Sequence, residues 1–399
     1  MTTMTVDTLH RAPVPKTPAR RRALVYLLGA GTFLMGTTEF LVAGLLPEIA
    51  ADLSVTVASA GLTITVFAIG MIVGTPLMAV ATLRLPRRIA LAVSLLVFAA
   101  GHLVVAAASD FTLILAARFA TALATGAFWA VAAVVAARAA GPAASSRALG
   151  VVLGGGMLAN VLGVPLGALT GQSIGWRGPF WVLAVLAVAG AAAVYRFVPA
   201  DRSGEPAPSV RAELASLRDT RVWLVFASAA IVCGSSLAAY SFIAPLLTES
   251  TGLAPSAIPL VLVVYGLGAL VGSFGGGSLG ARRPFALMFT AAAATFTVLS
   301  LLSIFSHIPI AAVVLIGLLG LFGMATNPVL IGKAVQYADR APTLASALST
   351  SAFNFGTAVG SWFAGMALET ALGATGPILV GTAIAALYFL PLGLLAARD

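Results

Sequence analysis

The chain has 399 residues, of which 60% are hydrophobic and 9% charged, and its mean hydropathy is +1.05. Those values exclude a soluble globular domain and call for a bilayer as solvent. A formal charge of +9 would suggest nucleic acid if it were clustered, but the basic residues are scattered between apolar stretches, so no nucleic-acid partner is expected.

Taken in chain order with Gly, Pro and charge as punctuation, the sequence predicts twelve transmembrane helices. The first six lie at 23–46, 57–83, 89–108, 111–137, 148–170 and 178–198, and the second six at 222–247, 257–279, 284–305, 310–334, 344–368 and 376–396. Arg20, Arg21 and Arg22 precede an apolar run too long for a cleaved leader, so the first span reads as an uncleaved anchor. Barrel strands would be shorter and would alternate, so the class is an all-α membrane protein.

An even number of spans puts both termini on one side. With the termini in the cytoplasm, that side collects 20 of the 22 basic residues, among them Arg84, Arg87, Arg88, Arg138, Arg147, Arg282, Arg283 and Arg340. The opposite side keeps Arg177 and the acids Glu48, Asp52, Asp110, Glu249 and Glu369. This loop-by-loop asymmetry predicts a multi-pass protein of the bacterial inner membrane. The 20 arginines against 2 lysines, beside heavy use of Ala and Gly, suit a GC-rich bacterial gene.

The polar stretch 199–221 divides the chain at its middle into a basic tail (1–22), a first six-helix half (23–198), a cytoplasmic linker and a second half (222–399). A shift of 198 residues aligns Gly70 and Gly74 with Gly268 and Gly272, Arg84 with Arg282, Pro86 with Pro284, and Pro47 with Pro245. Chance matching in a Gly-rich chain would not share one register and one topological position. Two parallel repeats place a substrate site between the halves, exposed alternately to each side.

Two ionisable residues lie deep in apolar sequence, Glu39 in the first span and Arg118 in the fourth. A charge at the bilayer centre costs about 2.5–3.5 kcal/mol on insertion scales, so such residues face a cavity or a partner. Glu39 can trade a proton for a substrate, or hydrogen-bond a neighbouring helix and hold the bundle together. Arg118 is either satisfied by backbone carbonyls, locking its helix, or a fixed cation whose field tunes a proton site, since guanidinium does not deprotonate. Asn160, Tyr240, Tyr265, Asn327 and Asn354 are candidate cavity polars that can equally serve packing, and His102 and His307 read as structural. Cys233, the sole cysteine, permits no intrachain disulfide, and no metal or cofactor is expected.

These residues together resemble the major facilitator superfamily, in particular its twelve-span drug:proton antiporters, over essentially the whole chain. The stretch from Gly74 looks like the family's G-x-x-x-D-x-x-G-R-R gate loop, with Arg84, Arg87 and Arg88 in register, Leu83 in place of the Asp and Pro86 in place of the Gly. Arg118 followed by Gly126 resembles the family's fourth-span pattern. Gly154, Gly163, Pro165 and Gly167 resemble the fifth-span antiporter motif. The first span, Gly36-Thr37-Thr38-Glu39-Phe40 with Gly44-Leu45-Leu46-Pro47, is similar to actinobacterial chloramphenicol efflux proteins, and arabinose and nucleoside exporters share a related pattern.

The resemblance implies proton-coupled efflux of a small lipophilic drug of the amphenicol type by a monomer, with the proton gradient as energy source, and sugar or nucleoside export as the alternative. No G-x-x-x-x-G-K-[ST] phosphate loop is present. No paired catalytic groups suggest an enzyme.

Overall fold

The computed structural model describes residues 18–81, 85–141, 144–199, 219–338 and 342–399, and among these residues there is no strand. The tail before residue 18 and most of the linker, 200–218, lie outside them. Where no water can satisfy a peptide group, the chain closes its hydrogen bonds locally, and helices follow.

The first half is built from α1 (Pro18–Leu41), a short surface helix α2 (Leu46–Leu53), α3 (Val57–Ala81), α4 (Arg87–Ala107), α5 (Phe111–Ala140), the pair α6 (Ser145–Leu158) and α7 (Val164–Ile174), and α8 (Gly178–Phe197). The second half holds α9 (Thr220–Ser241), α10 (Ile258–Gly280), α11 (Pro284–Phe305), the pair α12 (Pro309–Ala325) and α13 (Asn327–Tyr337), α14 (Pro342–Leu368), and the pair α15 (Gly376–Leu387) and α16 (Phe389–Ala396). Among the described residues, eleven of the resulting spans are long and apolar enough to cross a bilayer. The remaining long helix, α14, has 27 residues. Its ladder of Ser346, Ser349, Ser351, Asn354, Thr357 and Ser361 lowers its hydropathy, and this helix packs on α3 of the other half.

Helix boundaries follow local chemistry. Asp110 caps α5 by accepting from the Leu113 N–H at 2.7 Å, and Asp219 caps α9 by accepting from the Arg221 N–H at 2.8 Å. Proline opens α11 and α12, where a missing N–H costs nothing. Pro165 acts differently: the turn before it widens into a π segment, Ala159–Gly163, closed by the Val164 N–H on the Ala159 carbonyl. A second π segment, Leu246–Ser250, follows Pro245.

The internal repeat is visible as packing. A Cβ on Gly70 would lie 2.6 Å from the Ala122 Cβ, and one on Gly74 3.0 Å from the Leu123 Cα, both on α5. Their counterparts Gly268 and Gly272 meet α12 in the same way, against the carbonyl oxygens of Gly317 and Leu321. Each pair lets two helix backbones touch.

The halves meet along α3 against α14 and along α7 and the π segment before it against α10. Thr65 and Ser361 share a hydrogen bond of 2.8 Å, and the Ser351 hydroxyl donates to the Ile72 carbonyl at 2.9 Å. At the end bearing the acidic loops, Thr56 donates to Glu369 at 2.6 Å and the Gln172 amide donates to the Pro255 carbonyl at 2.7 Å. The Phe242 ring closes the seam there, against Gly61 and Gly365. Arg177 pairs with Asp52 and donates to the Ala108 carbonyl at 2.8 Å, clamping this end of the first half.

Gly272→Ala is expected to lower the thermal unfolding midpoint by the equivalent of about 1–3 kcal/mol, because the new Cβ meets the Leu321 carbonyl. Gly275→Ala, whose Cβ enters open space, is expected to leave it unchanged. The Arg177 guanidinium holds the Asp52 carboxyl below its usual range. Its contribution is therefore complete above pH ~3.9 and disappears as pH falls through the folded value. Asp52 is 46% exposed, so Asp52→Asn should cost only about 0.2–1 kcal/mol at neutral pH, less in high salt, and nothing in acid, measured by thermal unfolding at each pH.

Candidate functional site

The site grows from one turn of α1. Successive residues of a helix point about 100° apart, so Gly36 to Phe40 address different neighbours. Gly36 lies against Gly156 and Ala159, and Thr37 against Gly163, both on the fifth span. Thr38 turns toward α4 and α5, while Phe40 reaches across to Tyr240 of α9, with ring centroids 5.9 Å apart at 83°. Glu39 lies between them, deep in the bundle.

Arg118 on α5 is 1% exposed. Its Nη1 donates to the Thr38 hydroxyl at 2.8 Å, its Nε donates to the Thr63 carbonyl at 3.3 Å, and its guanidinium lies 4.4 Å from the centroid of the Phe67 ring. Its Nη2 is buried without a partner among the described residues. A backbone carbonyl and a hydroxyl thus each take part of the cation, and one nitrogen is left without an acceptor among the described residues.

His102, read from the sequence as structural, is joined to the same group. Its Nδ1 bonds the Phe98 carbonyl at 2.7 Å and its Nε2 bonds the Thr38 hydroxyl at 2.8 Å. Its ring also stacks on Phe98 at 4.0 Å and leans on Phe180 of α8. Sequence reasoning passed over Thr38 and His102; the available signal was a histidine in an apolar span, one more polar group needing a partner.

Glu39 makes no hydrogen bond or ion pair among the described residues, and it keeps accessible surface inside the bundle. Arg118 and Cys233 of α9 are close enough to sense its charge. The bundle thus holds a carboxyl that is near a cation and not engaged by it.

Of the candidate cavity polars, Tyr240 and Tyr265 are packed rather than open, 1% and 2% exposed, with rings stacked at 4.1 Å and hydroxyls buried without partners. The Asn354 amide donates to the Thr350 carbonyl at 3.0 Å and that of Asn327 to the Met324 sulfur at 3.4 Å; each side-chain oxygen is buried and unpartnered. Asn160 is half-buried, and its carbonyl lies against Gly266 of the other half.

Residues 28–240 match the family profile described as Major Facilitator Superfamily. The chain is 38% identical to a chloramphenicol resistance protein of Streptomyces lividans over 89% of its own length and 91% of that protein. It is 30% identical to the inner membrane transport protein YdhP of Escherichia coli K12, over 91% of this chain and 93% of that one. A probable sugar efflux transporter of Helicobacter acinonychis is 28% identical over 86% and 88%. Among solved structures, a bacterial homolog of the human lysosomal transporter Spinster, inward-facing and unoccupied, superimposes with a TM-score of 0.76 at 15% identity, covering 96% of this chain and 98% of that one.

The chain belongs to the major facilitator superfamily. It is a multi-pass membrane transporter and not an enzyme.

The family's motifs can be located on this transporter. Arg84 lies outside the described residues. Gly74 serves the contact with α5, and Gly126 returns it, its Cβ position 3.0 Å from the Thr75 nitrogen. Arg88 lies 3.6 Å from the centroid of the Tyr195 ring of α8, so an aromatic face holds it where the loop lacks its Asp; Arg87 starts α4 and is also engaged. In the fifth span, Gly163 meets Thr37 and Gly167 meets Leu41. These glycines seat the fifth span on the first, within one half. Gly154 faces open space, and its neighbour Gly155 makes the close approach to Gly29 and Thr32. Contact with the other half falls to the π segment before Pro165 and to α7.

Tyr240→Phe and Tyr265→Phe keep the ring stack and delete an unpartnered buried hydroxyl. Each is expected to leave the unfolding midpoint unchanged or to raise it by up to about 1–2 kcal/mol, whereas Tyr240→Ala should cost roughly 3–5 kcal/mol, all read from thermal unfolding in detergent.

Proposed function

We propose that this transporter exports a small lipophilic drug of the amphenicol class in exchange for protons, and that Glu39 is the group that exchanges them. One observation carries the reading: Glu39 is a carboxyl inside a span, with accessible surface, no partner, and an arginine close by. Such a group can take a proton from one side and release it to the other when the halves rock. The likeness to the Streptomyces lividans chloramphenicol resistance protein supports the choice of substrate. The likeness to a sugar efflux transporter favours sugar export as the second reading.

In this reading the arginine-rich end faces the cytoplasm of a bacterial cell and both termini lie there. Contacts between the halves at the acidic end then hold the outer side shut, and drug enters from inside or from the inner leaflet. Protonation of Glu39 from outside favours the inward-open state, and release of that proton inward accompanies the return. A potential of roughly 150 mV supplies about 3.5 kcal/mol per charge, enough for a few-hundred-fold gradient of a neutral drug. The protein works as a monomer and needs no cofactor beyond the proton gradient.

The test is accumulation of labelled chloramphenicol in a bacterial strain without its own exporters. Wild type is expected to lower accumulation, a protonophore to abolish the effect, and Glu39→Gln at matched expression to raise accumulation to the level of cells without the transporter. Full protonophore-sensitive export by Glu39→Gln would refute the role of Glu39. Unchanged accumulation by wild type, with a labelled pentose exported instead, would favour the sugar reading.

A further inference from the structure

The hydrogen bonds around Thr38 can run in only one direction. The Phe98 carbonyl is an acceptor, so the His102 Nδ1 carries the proton, and in the neutral ring Nε2 must then accept. The Thr38 hydroxyl has a single proton, which it gives to His102 at 2.8 Å. Its lone pairs are left for Arg118, a pure donor, at 2.8 Å. Thr38 precedes Glu39 on the same helix, and Arg118 shows Glu39 no contact short enough for an ion pair.

We infer that His102 and Thr38 are positioning residues that hold the Arg118 guanidinium away from Glu39, so that the carboxyl stays free to take up a proton. The inference deepens the proton-exchange reading and rests on it for its consequence in transport. The geometry is independent of that reading. Without the Thr38 hydroxyl, Arg118 keeps only the Thr63 carbonyl and the Phe67 ring, with two nitrogens in need of an acceptor. Glu39 is the anion within reach of its field. Pairing would then keep Glu39 ionised to lower pH.

Other groups around the pair do not replace this control. From α4 the titratable side chain is His102, and from α9 they are Cys233 and Tyr240, with Tyr265 of α10 behind them. From α3 come the Thr63 carbonyl and the Phe67 ring, from the fifth span the Gly163 backbone beside Thr37, and from α8 the Phe180 ring beside His102.

The test reads the protonation of Glu39 without reference to substrate. Purified full-length protein in lipid nanodiscs is treated across a pH series with dicyclohexylcarbodiimide, which modifies protonated carboxyls in apolar surroundings, and labelling of the Glu39 peptide is quantified by mass spectrometry against Glu39→Gln. Thr38→Val and Thr38→Ala are expected to move the pH of half-labelling about one unit toward acid, and Thr38→Ser to stay on the wild-type curve. His102→Phe keeps the ring stack but removes the acceptor, and should shift in the same direction. Val and Ala variants that label along the wild-type curve would overturn the inference, as would a Ser variant that shifts with them or a wild-type Glu39 that does not label. An unshifted His102→Phe beside shifted Thr38 variants would remove His102 from the arrangement. Should the labelling shift appear while export is insensitive to protonophore, the proton-exchange reading fails and the positioning stands.

Discussion

A guanidinium that never loses its proton and lies 1% exposed inside an apolar bundle must be answered by groups from several helices at once. Arg118 draws on a hydroxyl from α1, a carbonyl and an aromatic face from α3 and, through Thr38, an imidazole from α4. That demand fixes how the first four spans are rotated about their axes. Once Thr38 faces Arg118, helical geometry turns Thr37 to the fifth span and Phe40 to the other half. The cation therefore organises the first half, and Glu39 takes the direction left between these contacts.

The second organising constraint is close approach of backbones. In lipid, apolar side chains gain little by leaving one apolar surface for another, so helices associate where small residues let them touch. Gly70 and Gly74 of α3 against α5, with Gly268 and Gly272 of α10 against α12, repeat one solution in the two halves. The span-five glycines use the same device against α1, within a half. The seams between halves contain a few hydroxyl bonds and the aromatic seal at Phe242. Rigid halves with a lightly bonded seam are the mechanical requirement for rocking.

Much of this was legible in the sequence, for physical reasons. Charge and apolar length locate the spans because lipid enforces both. The repeat was readable because Gly, Pro and Arg at fixed positions mark close approach, breaks and helix ends. Glu39 and Arg118 stood out because a charge in an apolar span is costly. Thr38 and His102 did not, since Thr is ordinary in membrane helices and a His with two partners resembles any satisfied core group. Their role depends on rotation and on donor direction, which spacing along one chain does not carry. In the fifth span the close approach to the first belongs to Gly155, one residue and 100° from the motif's Gly154, and motif spacing does not carry that rotation. The polarity of α14 did not hide it, since its length between Gly and Pro breaks still reads as a helix at 344–368.

The strength of the seam can be set against the proposed driving force. Four hydrogen bonds cross it among the described residues: Thr56 to Glu369, Gln172 to Pro255, Thr65 to Ser361 and Ser351 to Ile72. At about 0.5–1.5 kcal/mol net each, they sum to a few kcal/mol. One proton moving through roughly 150 mV delivers about 3.5 kcal/mol. The two quantities are of one size, so on the proposed mechanism one protonation event is comparable with the hydrogen bonding of the seam. Among the described residues the ion pairs fall within the halves instead, Asp52 with Arg177 in the first, and Asp219 with Arg221 and Lys333 with Asp399 in the second. Ion pairs thus stiffen each half, while the seam is closed by hydroxyls, an amide, backbone carbonyls and the single carboxylate of Glu369. Glu39, without a partner among the described residues, is the group whose charge the proposed exchange would change.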